Sequence, residues 1–241
     1  MHQIAPYVPK EVYLGFLGRT IEIHWDFHAY LMVFVWIFMV PLCILAIRFG
    51  KPRPTATGLH RKVAWYNPEW WWFTVHKYGL ALAMTLSFAG GVVAVTVSKG
   101  FSGTVHSVFG ILAVTLGVIQ VLAGAVRGKH GGKNYYTAKP DDPATWFGDH
   151  YNMTTRRRIF EAYHKNAGYI AGWCALGAVG TGLMQYPMPW MLGIILFLLA
   201  VVAITAIVCD YIGIRYDGYR AAHGVDPEAP FNKERAEIEG R

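Results

Sequence analysis

Five long apolar runs, separated by more polar connections, make up most of the chain. Each run reaches about 20 residues, the length that an α-helix needs to cross a ~30 Å hydrocarbon core. The runs are continuous and do not alternate with polar residues, which favours helices over the strands of a membrane barrel. The pattern predicts transmembrane helices near residues 29–48, 74–96, 104–126, 165–184 and 190–212.

The composition agrees with this pattern and predicts an all-α integral membrane protein. Of 241 residues, 54% are hydrophobic and 15% are charged, which is too apolar for an ordinary soluble domain. We expect an outer N-terminal interfacial segment (1–27), a transmembrane domain (28–212) and a cytoplasmic tail (213–241) that is disordered or forms a short helix. Within the outer segment, residues 11–27 are amphipathic and are expected to lie along the membrane surface.

The basic residues indicate how the chain is oriented in the membrane. The net charge is +7, but lysine and arginine are concentrated after the first span and between the third and fourth, whereas the alternate side has only Lys10, Arg19 and Lys99. By the positive-inside rule, the N-terminus should be outside and the C-terminus in the cytoplasm. The partner that this charge predicts is a lipid bilayer rather than nucleic acid. The short loops and the lack of a secretory signal favour a bacterial cytoplasmic (inner) membrane, with an organelle membrane as the alternative.

Each of the first four spans begins with a histidine: His28, His76, His106 and His164. Because successive spans run in opposite directions, His28 and His106 should lie near the outer face, and His76 and His164 near the cytoplasmic face. Ionisable side chains inside membranes are rare and usually functional. Two imidazoles at each level are the axial set that a six-coordinate b-type haem requires.

Other roles for these histidines remain open from the sequence. A single membrane histidine can hydrogen-bond a neighbouring helix, and a zinc ion would need roughly four nitrogen or sulfur ligands at one level. Few carboxylates lie nearby, and the cysteines are scattered, which favours haem over zinc. Glycines follow two of the histidines by one helical turn, Gly110 after His106 and Gly168 after His164. They would clear space either for a porphyrin or for close helix packing.

The remaining histidines give weaker indications. His24 lies among charged and aromatic residues and is interpreted as an interfacial side chain, and His60 as a loop residue. His130 and His150 fall in the long connection 128–163, without a spacing that would indicate a metal site. That connection is interpreted as a solvated loop or as a cytoplasmic docking surface.

Four segments carry a resemblance to a known family: HAYLMVFVWIFMVPLCILAIR, WWFTVHKYGLALAM, VHSVFGILAVTLGVIQVLAGAVR and RRIFEAYHKNAGY. They are similar to successive helices of the cytochrome b561 transmembrane family over roughly residues 24–212, most of all to the five-span form that elsewhere follows a DOMON domain. The resemblance implies a four-helix haem-binding bundle within the five helices. It also implies two haem b groups, one held by His28 and His106 and the other by His76 and His164, as axial ligands of the haem iron.

The resemblance also implies a function. Members of that family pass electrons across a membrane from ascorbate or a related reductant to an acceptor such as ferric iron. No side chain would act as a chemical catalyst, since the protein supplies ligands, burial and partners for the haem propionates. Candidate propionate partners are four basic residues at cytoplasmic ends of spans: Arg48, Lys77, Arg127 and Lys165. Topology alone explains these charges equally well.

Three functions follow as hypotheses. The first is transmembrane electron transfer by a ferric-reductase-like oxidoreductase, with an ascorbate-like or quinol donor and ferric iron or a redox protein as acceptor. The second is a di-haem membrane-anchor subunit of a larger redox complex, exchanging electrons with quinone or quinol and docking through residues 128–163 or the tail. The third is a structural or sensory membrane module. The 241 residues include no DOMON domain, and the connection 128–163 is longer than is usual in the family, so the donor, the acceptor and any oligomeric partner stay open.

Overall fold

The computed structural model describes residues 8–240, and these residues are mostly helical. Five helices in this part of the chain are long and apolar enough to cross a membrane, which confirms the five predicted spans. They are α1 Trp25–Phe49, α2 Pro68–Val97, α3 Val105–Val126, α4 Thr155–Gln185 and α5 Pro189–Tyr211. The protein is therefore a multi-pass membrane protein of helical type.

Helix α4 begins well before the predicted position 165, at Thr155. Its first turns are charged, so the apolar run that located the span starts later than the helix does. The Thr154 hydroxyl accepts a hydrogen bond from the backbone N–H of Arg157, and Arg157 pairs with Glu161 one turn further on at 2.9 Å. Capping and an i,i+4 ion pair thus extend the helix into a polar sequence.

Two of the long helices contain wider, π-helical turns. In α1 the turn Phe34–Met39 directly precedes Pro41, whose ring would clash with the carbonyl of the preceding turn in a regular α-helix. In α2 the turn Val75–Gly79 contains His76. Single π-helical turns commonly mark functional positions in helices, which makes the turn around His76 a candidate functional position.

A β-hairpin occupies part of the predicted interfacial segment, so the fold is not entirely helical. Strand β1 Glu11–Leu14 pairs antiparallel with β2 Arg19–Glu22, with Val12 opposite Ile21. Gly18 adopts a positive φ of 61° in the turn, which is a conformation that glycine reaches without steric cost. Residues 1–7 of the predicted segment 1–27 and Arg241 of the tail lie outside the described residues.

The chain forms two compact units. Unit one takes in the chain up to Pro41, Leu80–Val121 and Asn166–Val202. Its core includes Trp36, which donates its indole N–H to the fully buried hydroxyl of Ser87 at 2.9 Å. Because that polar pair is satisfied internally, it can lie among apolar helices. The buried apolar residues around it are Val35, Val40, Ala83, Met84, Ala113, Cys174 and Ala175.

Unit two takes in Leu42–Gly79, Leu122–Lys165 and the chain from Ala203 onward. Within the described tail it has two short helices, α6 Gly218–His223 and α7 Pro230–Ile238. One apolar cluster joins this tail to the connection between α3 and α4, through Tyr151, Met153, Tyr219 and Ala229. The tail is therefore folded, and the connection has a core of its own.

Backbone hydrogen bonds also hold the tail to the connection between α1 and α2. The N–H of Leu59 donates to the carbonyl of Ala222, and the N–H of Val225 donates to the carbonyl of Thr55, each at 3.0 Å. The buried Asn232 amide donates to the carbonyls of Gly224 and Asp226. Three segments that are distant in sequence thus form one structure within unit two.

Helix α5 shows why the chain needs a bilayer. Its most apolar window has a mean hydropathy of 3.1, yet only 6% of that window is buried inside the protein. Large apolar side chains such as Phe197 and Ile207 are exposed along it. A continuous exposed apolar surface of this kind is stable in contact with lipid rather than with water.

Tyr219→Phe tests whether the tail is held as described. The Tyr219 hydroxyl donates to the carbonyl of Tyr151 at 2.7 Å and accepts from the N–H of Phe231 at 3.3 Å, so its removal leaves buried backbone groups unpaired. We expect the free energy of opening of α6 to fall by about 1–2 kcal/mol, measured by amide hydrogen exchange in detergent.

The matched control is Tyr216→Phe, which removes a hydroxyl that makes no hydrogen bond to any residue in the range 8–240. Unchanged exchange in Tyr219→Phe, or an equal change in both variants, would contradict the proposed anchoring.

Candidate functional site

The structure brings His28 and His106 together inside unit one, as predicted from the alternating direction of the spans. Their ring centroids are 6.2 Å apart, and the ring planes are nearly perpendicular, at 87°. His106 donates from Nδ1 to the carbonyl of Ala178 at 2.9 Å. A Cβ at Gly182 would lie 3.0 Å from the His106 ring, so glycine at that position makes room for the imidazole.

His76 and His164 form a second pair, inside unit two. Their centroids are 6.1 Å apart with an interplanar angle of 77°. His76 lies in the π-helical turn of α2, and its Nδ1 is 3.4 Å from the carbonyl oxygen of Cys43. His164 stacks on Phe160, and its Nδ1 is buried with no hydrogen-bond partner among the described residues.

The separation within each pair has a specific chemical meaning. Two imidazoles that bind one metal centre from opposite sides at about 2.0–2.1 Å, with each nitrogen roughly 1.1 Å from its ring centre, have centroids about 6.2–6.4 Å apart. The observed separations, 6.2 and 6.1 Å, are close to that value. Direct hydrogen bonding between rings would bring them closer, so neither pair has the spacing of a direct ring-to-ring hydrogen bond.

Space beside the histidines distinguishes the two roles considered for the glycines. A Cβ built at Gly110 or at Gly168 would meet no atom within 4 Å, whereas one at Gly177 would lie 3.1 Å from the Phe109 ring. Close helix packing therefore explains Gly177 but not Gly110 or Gly168. The open space at Gly110 and Gly168 agrees with the clearance interpretation, and Gly193 on α5, a helix with none of the four histidines, has the same open space.

The four predicted propionate partners already have partners in the protein. Arg48 pairs with Asp210 at 2.9 Å, and Lys165 approaches Glu161 at 3.7 Å. The other two contact aromatic rings: Lys77 lies over Tyr78, and Arg127 lies 4.7 Å from the Phe73 ring centre. Arg127 also lies within electrostatic range of His164. Their role toward a cofactor stays a prediction.

Among the remaining histidines, His24 and His60 are exposed, as the sequence indicated. His130 and His150 are different, because the structure brings them together with His223 of the tail. One ring nitrogen from each of the three histidines lies within 4.8 Å of the other two. His223 Nε2 and His150 Nδ1 are 2.9 Å apart and share a hydrogen bond.

Local backbone contacts explain how distant residues meet in this three-histidine cluster. The N–H of His150 donates to the carbonyl of Lys129, and the N–H of Tyr151 donates to the carbonyl of His130. The backbones of Gly131 and Gly148 are too close for a Cβ at either position. The sequence analysis missed the cluster because its members are far apart and have no periodic spacing, although each adjoins or nearly adjoins a glycine.

Burial sets the charge state of these rings. It lowers the pKa of His130 and of His150 well below the ordinary histidine value, and the pKa of His223 to about 3. The three imidazoles are therefore neutral at neutral pH. A small cavity of about 100 Å³ adjoins His130 and His223, and its other walls include Arg61, Lys133 and Asp226.

Comparison with known proteins adds no identification. No protein-family model, no curated protein and no solved structure matched the chain. The residues and their geometry are therefore the basis for assigning a function to the protein.

Proposed function

We propose that the chain is a di-haem cytochrome b that transfers electrons across a membrane. His28 and His106 would hold one haem b, and His76 and His164 the other. The observation that carries this proposal is the presence of two separate imidazole pairs, each at the spacing of trans ligands on one metal centre. The resemblance to cytochrome b561 helices agrees with the same pairing.

The residues around each pair fit a flat, iron-containing cofactor. A Cβ at either of the glycines one turn from His106 and His164 would meet no atom within 4 Å, and the buried Nδ1 of His164 lacks a partner among residues 8–240. Haem would supply reversible one-electron chemistry when bound, and His28 with His106 and His76 with His164 would be the residues that hold it. Such a centre suits electron transfer better than bond-making chemistry.

The protein's part is to orient and tune the ligands. A backbone carbonyl can only accept, so His106 presents Nδ1–H to Ala178, and the other ring nitrogen keeps its lone pair. The Cys43 carbonyl serves His76 in the same way over a longer distance. These bonds fix the tautomer and raise the basicity of the ligand nitrogen.

Charge distinguishes the two centres. Arg127 and Arg157 lie within electrostatic range of His164, and Arg127 also acts on His76. Positive charge stabilises an added electron, so the His76–His164 centre should hold an electron more readily than the His28–His106 centre. Electrons entering at the His28–His106 centre would then pass to the His76–His164 centre.

The direction and the partners belong to the same proposal. The basic connections would lie in the cytoplasm and the N-terminal hairpin outside, following the charge asymmetry. The donor would be an ascorbate-like reductant or a quinol, and the acceptor ferric iron or a redox protein. The membrane would be the bacterial cytoplasmic membrane.

One observation favours the second candidate, a membrane-anchor subunit of a redox complex. The connection between α3 and α4 and the tail pack into a structure with its own apolar cluster. A folded surface of this kind gives a redox partner a better-defined docking site than a solvated loop would. Co-purification of a second polypeptide would favour this candidate over independent electron transfer.

Replacing one histidine of each pair tests the pairing. His76→Leu should remove one haem and leave the spectrum of the His28–His106 site intact, and His106→Leu should do the reverse, because each pair serves one centre. In vesicles that enclose ferricyanide, with ascorbate added outside, the unchanged protein should pass electrons inward and reduce the ferricyanide. Neither variant should do so. The control is His60→Leu, an exposed histidine of which only the backbone is hydrogen-bonded. Loss of both haems from a folded His76→Leu protein would contradict the pairing.

A bulky residue beside one ligand tests the proposed clearance. Gly168→Leu should fold normally, since a Cβ there meets no atom within 4 Å, yet it should lower haem occupancy at the His76–His164 site. Gly193→Leu on α5 is the matched control, because it also meets no atom but lies on the helix that carries none of the four histidines. Haem-to-protein ratios and reduced-minus-oxidised spectra give the answer. Equal, full occupancy in both variants would show that the space beside Gly168 does not receive the cofactor.

A further inference from the structure

We propose that His130, His150 and His223 form a binding site for one divalent transition-metal ion of the zinc type. The site is separate from the four histidines of the helices, and the inference stands whether or not those four hold haem. It assigns a function to three residues that the proposed electron transfer does not use.

The ring positions carry the proposal. The three centroids form a nearly equilateral triangle, with sides of 4.7, 4.8 and 4.9 Å. Three imidazoles that bind one ion at about 2.0–2.1 Å have ring centres about 4.5 Å apart around a right-angled face and about 5.2 Å apart around a tetrahedron. The observed sides lie between these limits. The spacing therefore agrees with three imidazole ligands of one ion.

The donor atoms agree with the ring positions. One nitrogen from each ring lies within 4.8 Å of the others, and the closest two are 2.9 Å apart. Imidazole nitrogen is a preferred ligand of zinc, copper and nickel, whereas magnesium and calcium prefer oxygen. The hydrogen bond between His150 and His223 uses a ring proton that a bound ion would displace.

The surroundings indicate a site with three protein ligands and one position for solvent. The cavity of about 100 Å³ beside His130 and His223 has room for a few water molecules, since each takes about 30 Å³ in the liquid. Lys133 binds the nearby Asp226 at 2.7 Å, so that carboxylate is already paired. A water molecule or a small anion is therefore the expected fourth ligand.

The position of the ligands gives the ion a structural consequence. His130 and His150 come from the connection between α3 and α4, whereas His223 ends helix α6 of the tail. One ion would link the tail to the connection, next to the cluster formed by Tyr151 and Tyr219. A Cβ at Gly132 would lie 2.6 Å from His223 Nδ1, so glycine is required for this approach.

The test uses the tag-free, full-length protein, stripped with a chelator and titrated with Zn²⁺ by calorimetry and metal analysis. We expect one Zn²⁺ per chain, and X-ray absorption at the zinc edge, which does not detect haem iron, should show three imidazole ligands. His130→Gln, His150→Gln and His223→Gln should each weaken binding by at least about 10-fold, because loss of a ligand costs no less than loss of an outer partner.

His60→Gln, an exposed histidine of the same unit, is the matched control and should bind Zn²⁺ like the unchanged protein. The absorption spectrum is measured on the unchanged protein, so a variant that fails to fold does not affect it. Failure of the folded protein to bind Zn²⁺, a site with fewer than three imidazoles, or full binding in all three variants would overturn the proposal.

Discussion

An imidazole placed among apolar helices must find partners for its nitrogen atoms, and this requirement governs much of the structure. Burying an unpaired polar group costs free energy, and no water in the hydrocarbon core can compensate. The chain meets this requirement with backbone carbonyls for His106 and His76 and leaves the Nδ1 of His164 without a partner within residues 8–240. Two pairs of rings about 6 Å apart complete the arrangement. The proposal that a group is held between the rings of each pair depends on these features.

Small residues and irregular turns serve the same arrangement. Gly182 admits the ring of His106, and a Cβ at Gly79 would lie 2.5 Å from the sulfur of Cys43, which places α2 close to the carbonyl that faces His76. The π-helical turn that contains His76 widens the helix where its ring leaves the backbone. Gly110 and Gly168 have no neighbour that would explain them by packing. Glycines and π-helical turns weaken a helix locally. They are common where a helix must come close to another group or carries a functional residue.

The spans and the histidine pairs could be predicted because both depend on local rules. A run of about 20 apolar residues is sufficient to locate a span, and alternating direction then places His28 with His106 and His76 with His164. The early start of α4 at Thr155 could not be found in this way, since polar turns extend that helix. The hairpin at Glu11–Glu22 depends on a glycine turn between short strands, which hydropathy does not reveal.

The three-histidine cluster shows the limit of reasoning from spacing. His130 and His150 are linked by backbone hydrogen bonds across a loop, and His223 arrives from the tail. Nothing periodic relates these positions, so the sequence indicated two loop histidines and no site. The same packing gives a core of their own to a connection that was expected to be a solvated loop or a docking surface and to a tail that was expected to be disordered or a short helix.

The most direct test of the central claim is the number and kind of haems in the purified protein, from pyridine haemochrome analysis combined with electron paramagnetic resonance of the oxidised form. The account predicts two haem b per chain, both low-spin. Because the imidazole planes in the pairs are inclined at 87° and 77°, both should give the highly anisotropic signal of nearly perpendicular axial histidines. A folded protein with no haem, with one haem, or with a high-spin signal from an open coordination position would contradict it.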